Sequence, residues 1–162
     1  MRLVIGLDPG PSTGIAWAAG ISPAGQWLAH ALQCDAGAAM LALAAVIATA
    51  GPPGDVLVQG EAFIAGNRAG AKGRGADTAR DVLADARRLC ERQGARMRLE
   101  PALNVMHWSS DRRLEKAGFP MGSKFRDARA AGRHMLYCAR WHGGYPDPLI
   151  RAGKAAGPPH TL

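Results

Sequence analysis

The sequence predicts an α/β domain in which helices flank a mixed β-sheet. The first 33 residues contain three short strand-like runs separated by turn signals, which is typical of an antiparallel meander. Later apolar strands alternate with helical segments, as in parallel β–α units. The length of 162 residues suits one such domain and is too small for two of ordinary size.

Turn-forming residues delimit the predicted strands. The first is β-branched and apolar and stops at Pro9-Gly10-Pro11, a turn signal. The fourth has the continuous apolar character of a strand buried on both faces. The predicted strands are residues 2–8, 13–19, 26–33, 55–59 and 96–100.

Helical segments occupy much of the remaining chain. Residues 36–50 read as a buried helix, and residues 76–93 form the clearest amphipathic pattern, with Gly94 as a stop. Two more helices are predicted at 111–117 and 124–141. The predicted domain covers residues 1–145, and the Pro- and Gly-containing segment 146–162 is expected to be a flexible tail.

Composition favours a soluble protein. Hydrophobic residues make up 48% and charged residues 20%, and no apolar run approaches the roughly 20 residues of a membrane helix. No signal-peptide pattern follows Met1, so a cytoplasmic location is expected. The cysteines, Cys34, Cys90 and Cys138, are odd in number and widely spaced, which favours core thiols over disulfides or a zinc site.

Charge is unevenly distributed along the chain. The net charge is +7, yet residues 1–63 hold one basic and four acidic residues, against 19 basic and nine acidic residues in 64–162. A positive surface in the later elements would suit a polyanion, so nucleic acid is the predicted partner. Coding bias toward arginine is the alternative explanation.

Three acids stand where they can meet. Asp8 ends the first strand, Glu61 follows the fourth, and Asp127 lies on the last predicted helix. If the first and fourth strands are neighbours, these carboxylates converge and repel one another unless a cation joins them. Oxygen ligands favour Mg²⁺ or Mn²⁺, and two such ions suit displacement at phosphorus. The pattern predicts a nuclease, although a single strand-end Asp can equally cap a turn.

The residues around Asp8 carry a family resemblance. Ile5-Gly6-Leu7-Asp8-Pro9-Gly10, followed by Ser12-Thr13-Gly14-Ile15-Ala16, resembles the opening of RuvC-type Holliday junction resolvases. Residues 56–63 are similar to that family's second acidic segment, and residues 125–134 to its terminal helix in the form found in small phage-encoded members. The resemblance spans about residues 2–141 and implies a ribonuclease H-like fold with a five-stranded mixed sheet.

The same resemblance implies an activity in DNA recombination and repair. The protein would be a metal-dependent, structure-specific endonuclease that resolves four-way DNA junctions by two-metal phosphodiester hydrolysis. It would act as a homodimer with Mg²⁺ or Mn²⁺ in each active site. Asp8, Glu61 and Asp127 match the family's catalytic, metal-binding acids.

Two positions depart from the family pattern. Gln59 and Gly60 separate Glu61 from the apolar strand, and Ala130 occupies the place of a second acid on the terminal helix. His134 lies two helical turns after Asp127 and can replace that acid as a metal ligand or proton shuttle. The alternative is a half-buried or phosphate-contacting histidine.

Several polar and basic residues near these acids are predicted to contact DNA. They are Ser12, Thr13, Asn67, Arg68, Lys72, Arg74, Lys124, Arg126, Arg129 and Arg133. A solvated basic face is the alternative for the arginines of the last helix. Trp108 and Trp141 could stack on an unpaired base or could belong to the core or an interface.

Two other function classes remain to be compared with the nuclease. A non-catalytic, branched-DNA-binding module on the same fold would explain the missing helix acid. The segment Asp8 to Gly14 is also similar to the phosphate loop of sugar kinases and actin-like ATPases. Those proteins need two lobes and a second phosphate loop, for which 162 residues are too few.

Overall fold

The computed structural model describes residues 2–22, 26–50, 54–62, 74–119 and 123–150. Its strands are β1 (Leu3–Asp8), β2 (Ser12–Ile21), β3 (Trp27–Asp35), β4 (Val56–Glu61) and β5 (Arg96–Glu100). Its helices are α1 (Ala36–Ala48), α2 (Arg74–Gln93), α3 (Ala102–Trp108), α4 (Asp111–Lys116) and α5 (Arg126–Cys138). A short 3₁₀ turn at Ser123–Phe125 precedes α5, and a π-helical turn at Ala139–Gly143 continues it.

The strands form one mixed sheet in the order β3-β2-β1-β4-β5. β1 pairs antiparallel with β2, and β2 with β3, whereas β4 runs parallel to both β1 and β5. This arrangement confirms the predicted five-stranded mixed sheet. Because β1 and β4 are parallel neighbours, their carboxyl ends meet at one edge of the sheet.

Helices cover both faces of the sheet, and alternation along the strands assigns each side chain to one of them. On one face, Val4 and Leu57 pack with Met135 and Leu136 of α5. On the other, residues such as Ile5 pack against α1 and α2. β1 and β4 are therefore apolar on both sides, which explains their continuous hydrophobic character.

Two glycines allow α5 to lie against the sheet. A Cβ atom on Gly6 would stand 2.0 Å from the carbonyl oxygen of Ala131, and one on Gly14 would stand 2.0 Å from that of Asp127. The backbone of α5 thus occupies the space that side chains would fill on β1 and β2. This contact fixes the height of α5 above the sheet.

The structure differs from the predicted elements in a few places. Helix α3 is not among the predicted helices, because a proline that follows a strand, such as Pro101, can either end the regular structure or precede a helix. α2 begins at Arg74, two residues earlier than predicted, and α5 ends at Cys138. All three cysteines are free, and Cys90 and Cys138 are buried.

The predicted tail is described only up to residue 150. Asp147 binds Arg113 of α4 through an ion pair of 2.8 Å and further hydrogen bonds. Residues 151–162 lie outside the described residues, as do residues 63–73, which include the predicted DNA contacts Asn67, Arg68 and Lys72. Within the described part of the chain, no helix has the length and apolarity needed to span a membrane.

Substitution of either glycine beneath α5 should destabilise the protein strongly. Gly6→Ala and Gly14→Ala each place a methyl group into backbone atoms that cannot move independently, so we expect a loss of roughly 3 kcal/mol or more in the free energy of unfolding. Chemical denaturation measures this loss. The matched control is Gly37→Ala at an exposed position of α1, where the nearest atom is the carboxylate oxygen of Asp35 at 3.3 Å. An equal effect of all three variants would contradict the proposed backbone contact.

Candidate active site

Asp8 and Glu61 lie side by side at the carboxyl edge of the sheet. Leu7 pairs with Gly60 in the parallel register of β1 and β4, and the two acids are the next residues along each strand. Strand alternation places both on the face covered by α5. The two residues inserted before Glu61 therefore leave it beside Asp8.

Asp127 reaches the same edge through the docking of α5. Gly14 is the register partner of Asp8, and the backbone of Asp127 rests on Gly14. Gln33 of β3 fixes the start of the helix, because its Oε1 accepts hydrogen bonds from the backbone N–H of Asp127 at 2.9 Å and of Ala128 at 3.3 Å. These contacts satisfy two donors of the first turn that have no partner within the helix.

The electrostatics show that the three acids share one environment. The pKa of Asp8 is raised to about 7 by burial first, then by the negative charges of Glu61 and Asp127, while Arg126 opposes the shift. Burial also raises the pKa of Glu61. A carboxyl group with this pKa is poised between its neutral and charged forms at neutral pH.

The donor set fits a hard divalent cation. Carboxylate oxygens are the ligands that Mg²⁺ and Mn²⁺ prefer, and a cation would relieve the repulsion that raises the pKa of Asp8. In the described residues, no group of three or more His, Cys, Asp or Glu side chains is already arranged to hold a metal ion. The carboxylate oxygens and their negative charge thus fit Mg²⁺ or Mn²⁺, but the side chains are not prearranged as a complete set of metal ligands.

A groove of about 310 Å³ opens beside Glu61, between α3 and α5. One wall is basic and belongs to α5, and the other belongs to α3 and is mainly apolar. Ala130, where the resembling family carries an acid, faces this groove. The lining residues are Glu61, Ala102, Val105, Met106, Arg126, Arg129, Ala130, Arg133 and His134.

His134 lines the groove but is nearly inaccessible. Its residue surface is 3% exposed, and burial lowers its pKa to about 4, so the imidazole is neutral at pH 7. Its Nδ1 is buried without a hydrogen-bond partner among the described residues. Gln59 holds the helix here, since its Nε2 donates to the backbone oxygen of His134 at 3.3 Å.

The arginines of α5 differ in their surroundings. Arg129 and Arg133 both bind the carboxylate of Asp111 at the start of α4, the former at 3.3 Å, and Arg133 also donates to the backbone oxygen of Ser109. Arg126 is exposed and forms no ion pair with the described part of the chain; its charge acts on Asp8. The Arg126 guanidinium is therefore left open to solvent beside the acids.

The other predicted DNA contacts fall in different places. Thr13 is fully buried, and its hydroxyl donates to the backbone oxygen of Gly10 at 2.6 Å, so it stabilises the β1–β2 turn and is not exposed to a phosphate. Ser12 and Lys124 are exposed. Of the other predicted DNA contacts, Asn67, Arg68 and Lys72 lie outside the described residues, and only the backbone of Arg74 is described.

Sequence reasoning missed three residues that shape the site. Gln33 of β3 caps the start of α5, a contact that depends on how the helix packs on the sheet. Asp111 neutralises part of the basic wall. Glu100 pairs in register with Glu61 and accepts a 2.7 Å hydrogen bond from Asn104; its position at the end of β5 was a signal of the same kind that singled out Asp8 and Glu61.

Comparisons with known proteins identify the fold. No protein-family model and no curated protein sequence matches this chain. Among solved structures, RuvC of Thermus thermophilus in complex with a Holliday junction substrate matches with a TM-score of 0.59 and 18% identity, covering 88% of this chain and 97% of that chain. A further Thermus thermophilus RuvC structure matches with a TM-score of 0.58 and 18% identity, covering 91% and 99%. The chain therefore has the ribonuclease H-like fold of RuvC, which confirms the structural resemblance inferred from its motifs.

Neutralising Asp8 should stabilise the fold in alkaline solution. The folded pKa of about 7 lies above the ordinary 3.8, so ionisation costs stability increasingly above pH 4, and the cost is complete above about pH 7. We expect Asp8→Asn to raise the free energy of unfolding at pH 8 by about 2–4 kcal/mol. The gain should shrink at pH 5, and denaturant titrations at both pH values measure it.

Asp85→Asn is the control for this prediction. Asp85 is an exposed acid paired with Arg88 on α2, where solvent screens its charge and the ion pair balances it. A stability gain confined to Asp8→Asn supports the described environment. A loss of stability in Asp8→Asn at pH 8 would contradict it.

Proposed function

We propose that this protein is a metal-dependent, structure-specific DNA endonuclease that cuts branched DNA, with the four-way junction as its main substrate. The observation that carries the proposal is the convergence of Asp8, Glu61 and Asp127 at one sheet edge, where burial and then the negative charges of the other two acids raise the pKa of Asp8 to about 7. The RuvC fold supports it, because a protein of that fold is known in complex with a Holliday junction substrate.

The three carboxylates are the proposed ligands of Mg²⁺ or Mn²⁺, two ions per site. Ions bound there would stabilise the attacking and leaving oxygens of an in-line displacement at phosphorus. Asp8 lies at the centre, between Glu61 on the neighbouring strand and Asp127 above Gly14. Attack by water breaks the bond between phosphorus and the 3′ oxygen, which leaves a 5′-phosphate and a 3′-hydroxyl.

The chain's other groups position the substrate and complete the set of metal donors. Arg126 holds a phosphate next to Asp8, and Lys124 and Ser12 extend this contact along the backbone. His134 takes the place of the absent helix acid as a neutral nitrogen donor to the metal on the groove wall, because a pKa of about 4 makes it a weak proton acceptor at pH 7. Arg129 and Arg133 bind DNA only in competition with Asp111.

Symmetrical cutting of a four-way junction requires two active sites, so the proposal includes a homodimer. The main rival is a branched-DNA-binding module without catalysis. Ala130 favours that rival, because it places a methyl group in the groove where the resembling family has a carboxylate. Metal-dependent cleavage decides between the two.

Cleavage should depend on metal and on the clustered acids. End-labelled four-way junction, fork and linear duplex are incubated with the protein and Mg²⁺, Mn²⁺ or EDTA. We expect paired nicks near the branch with either metal and none with EDTA. Asp8→Asn and Asp127→Asn should lower the rate at least about 100-fold, the scale expected for loss of a group that acts on the transition state, while junction binding persists.

Asp85→Asn should cut at the parental rate, since it changes the net charge equally on a distant helix. Junction binding without cleavage under any metal would identify a binding module. Parental cleavage by Asp127→Asn would remove that residue from the site.

Arg126 should contribute more to DNA binding than Arg129. Arg126→Gln removes a guanidinium without an ion pair, so we expect weaker junction binding and a fall of about one in the slope of log affinity against log salt concentration. In Arg129→Gln the lost charge is already balanced in part by Asp111, and the slope should change less. Fluorescence anisotropy at several salt concentrations, in EDTA, measures both slopes. Equal changes would contradict the assigned difference between the two arginines.

A further inference from the structure

Three aromatic rings form a cluster beyond the end of the groove. Trp108 ends α3, Tyr137 lies on α5, and Trp141 lies in the π-helical turn that follows. Their ring centroids form a nearly equilateral triangle with sides of 6.2–6.4 Å. All three pairs are tilted or edge-on, which is the favourable geometry for aromatic contacts.

The cluster is held rigid from behind. The guanidinium of Arg113 lies 4.5 Å from the ring centroid of Trp108 and donates to the backbone oxygen of Trp108 at 2.9 Å. Asp147 fixes Arg113 in turn through two carboxylate oxygens. A ligand that binds the cluster would therefore meet rings already in position and would lose little conformational entropy in ordering them.

Trp141 is the open member of the cluster. It is 47% exposed, whereas Trp27 is 8% exposed, and Trp17 and Trp108 are of intermediate exposure. Arg140 stands 5.5 Å from its ring centroid and forms no ion pair with any residue that the structure describes. Trp141 therefore offers part of an indole ring to solvent, with a cation beside it.

The cluster continues the basic wall of the groove. Arg133, Tyr137 and Trp141 follow one another at four-residue steps, which keeps them near one side of the helix. Trp141 thus lies about 12 Å from Arg133 along the helix axis. A strand leaving the acidic edge through the groove would reach the arginines first and the aromatic cluster next.

We propose that Trp141, flanked by Tyr137 and Arg140, is a stacking site for an unpaired base of the DNA strand that leaves the active site. Flat aromatic rings next to cationic side chains are the combination that binds single-stranded nucleic acid, because every base offers a π-face and every nucleotide a phosphate. This inference rests on the proposed function for its choice of DNA as the ligand. It adds a preference for branch points with unpaired nucleotides.

The test uses the whole protein in EDTA, so that binding is separated from cleavage. Anisotropy of labelled oligo(dT), linear duplex and junctions with or without unpaired thymidines at the branch gives the affinities. The variants are Trp141→Ala, Trp141→Leu and Trp141→Phe, with Leu103→Ala as the control for loss of an exposed apolar side chain, 76% exposed on α3. A second measurement is the quenching of tryptophan fluorescence when oligo(dT) binds. The parent should show this quenching and Trp141→Phe should not, and the conservative Phe substitution avoids the loss of stability that Ala could cause.

We expect Trp141→Ala and Trp141→Leu to weaken oligo(dT) binding about five- to 150-fold, the range that one base–aromatic stack contributes. Trp141→Phe should retain most of the affinity, and Leu103→Ala should retain all of it. Duplex binding should stay within about twofold in every variant, since only phosphates are contacted there.

Three outcomes overturn the inference. These are parental affinity in Trp141→Leu, no binding of oligo(dT) by the parent, and a fall in molar mass on light scattering of Trp141→Ala, which would assign the cluster to contact with a second copy. Each is distinct from failure of the proposed function. If the protein binds oligo(dT) through Trp141 but does not cleave junctions, the stacking site is supported and the nuclease proposal is wrong. If the protein cleaves junctions and Trp141 variants bind oligo(dT) with parental affinity, the nuclease is supported and the stacking site is wrong.

Discussion

The site depends on the direct contact between the backbone of α5 and two strands of the sheet. Gly6 and Gly14 remove the side chains that would otherwise hold the helix away, and the backbone oxygens of Ala131 and Asp127 fill that space. Gln33 then fixes the start of the helix by accepting two of its backbone N–H groups. Without this close approach, Asp127 would not stand over the edge where Asp8 and Glu61 end.

The proximity of the three acids destabilises their charged forms. Burial and the neighbouring carboxylates raise the pKa of Asp8 to about 7, and the exposed guanidinium of Arg126 offsets only part of this effect. A site with this imbalance gains stability from any cation that binds it, by simple linkage. The positive charge of Arg126 acts on Asp8 in the opposite direction and lowers its pKa. The repulsion that raises the pKa of Asp8 is therefore also the reason why a cation would bind there.

The α5 helix also organises the surfaces on either side of the acids. Its arginines form one wall of the groove, where Arg129 and Arg133 share the single negative charge of Asp111 and Arg126 is left without an ion pair among the described residues. Farther along, Tyr137 and Trp141 present rings fixed by Trp108 and Arg113. A single helix thus links a candidate metal site, a phosphate contact and an aromatic platform in the order in which a DNA strand would meet them.

The sequence by itself determined the order of the elements along the chain in outline, the boundary residues Asp8 and Glu61, and the resemblance that implied the fold, whereas the adjacency of β1 and β4 came from the structure. These depend on local signals: alternation, apolar runs, and the Asp-Pro-Gly turn. The sequence did not predict helix α3, because a proline such as Pro101 can both end a strand and precede a helix. The cap from Gln33, the neutralising role of Asp111 and the burial of Thr13 and His134 were decided only by tertiary structure. Each results from contacts between residues that are far apart in the chain, such as Gln33 and Asp127, which are separated by 94 residues. Local sequence patterns cannot predict such contacts.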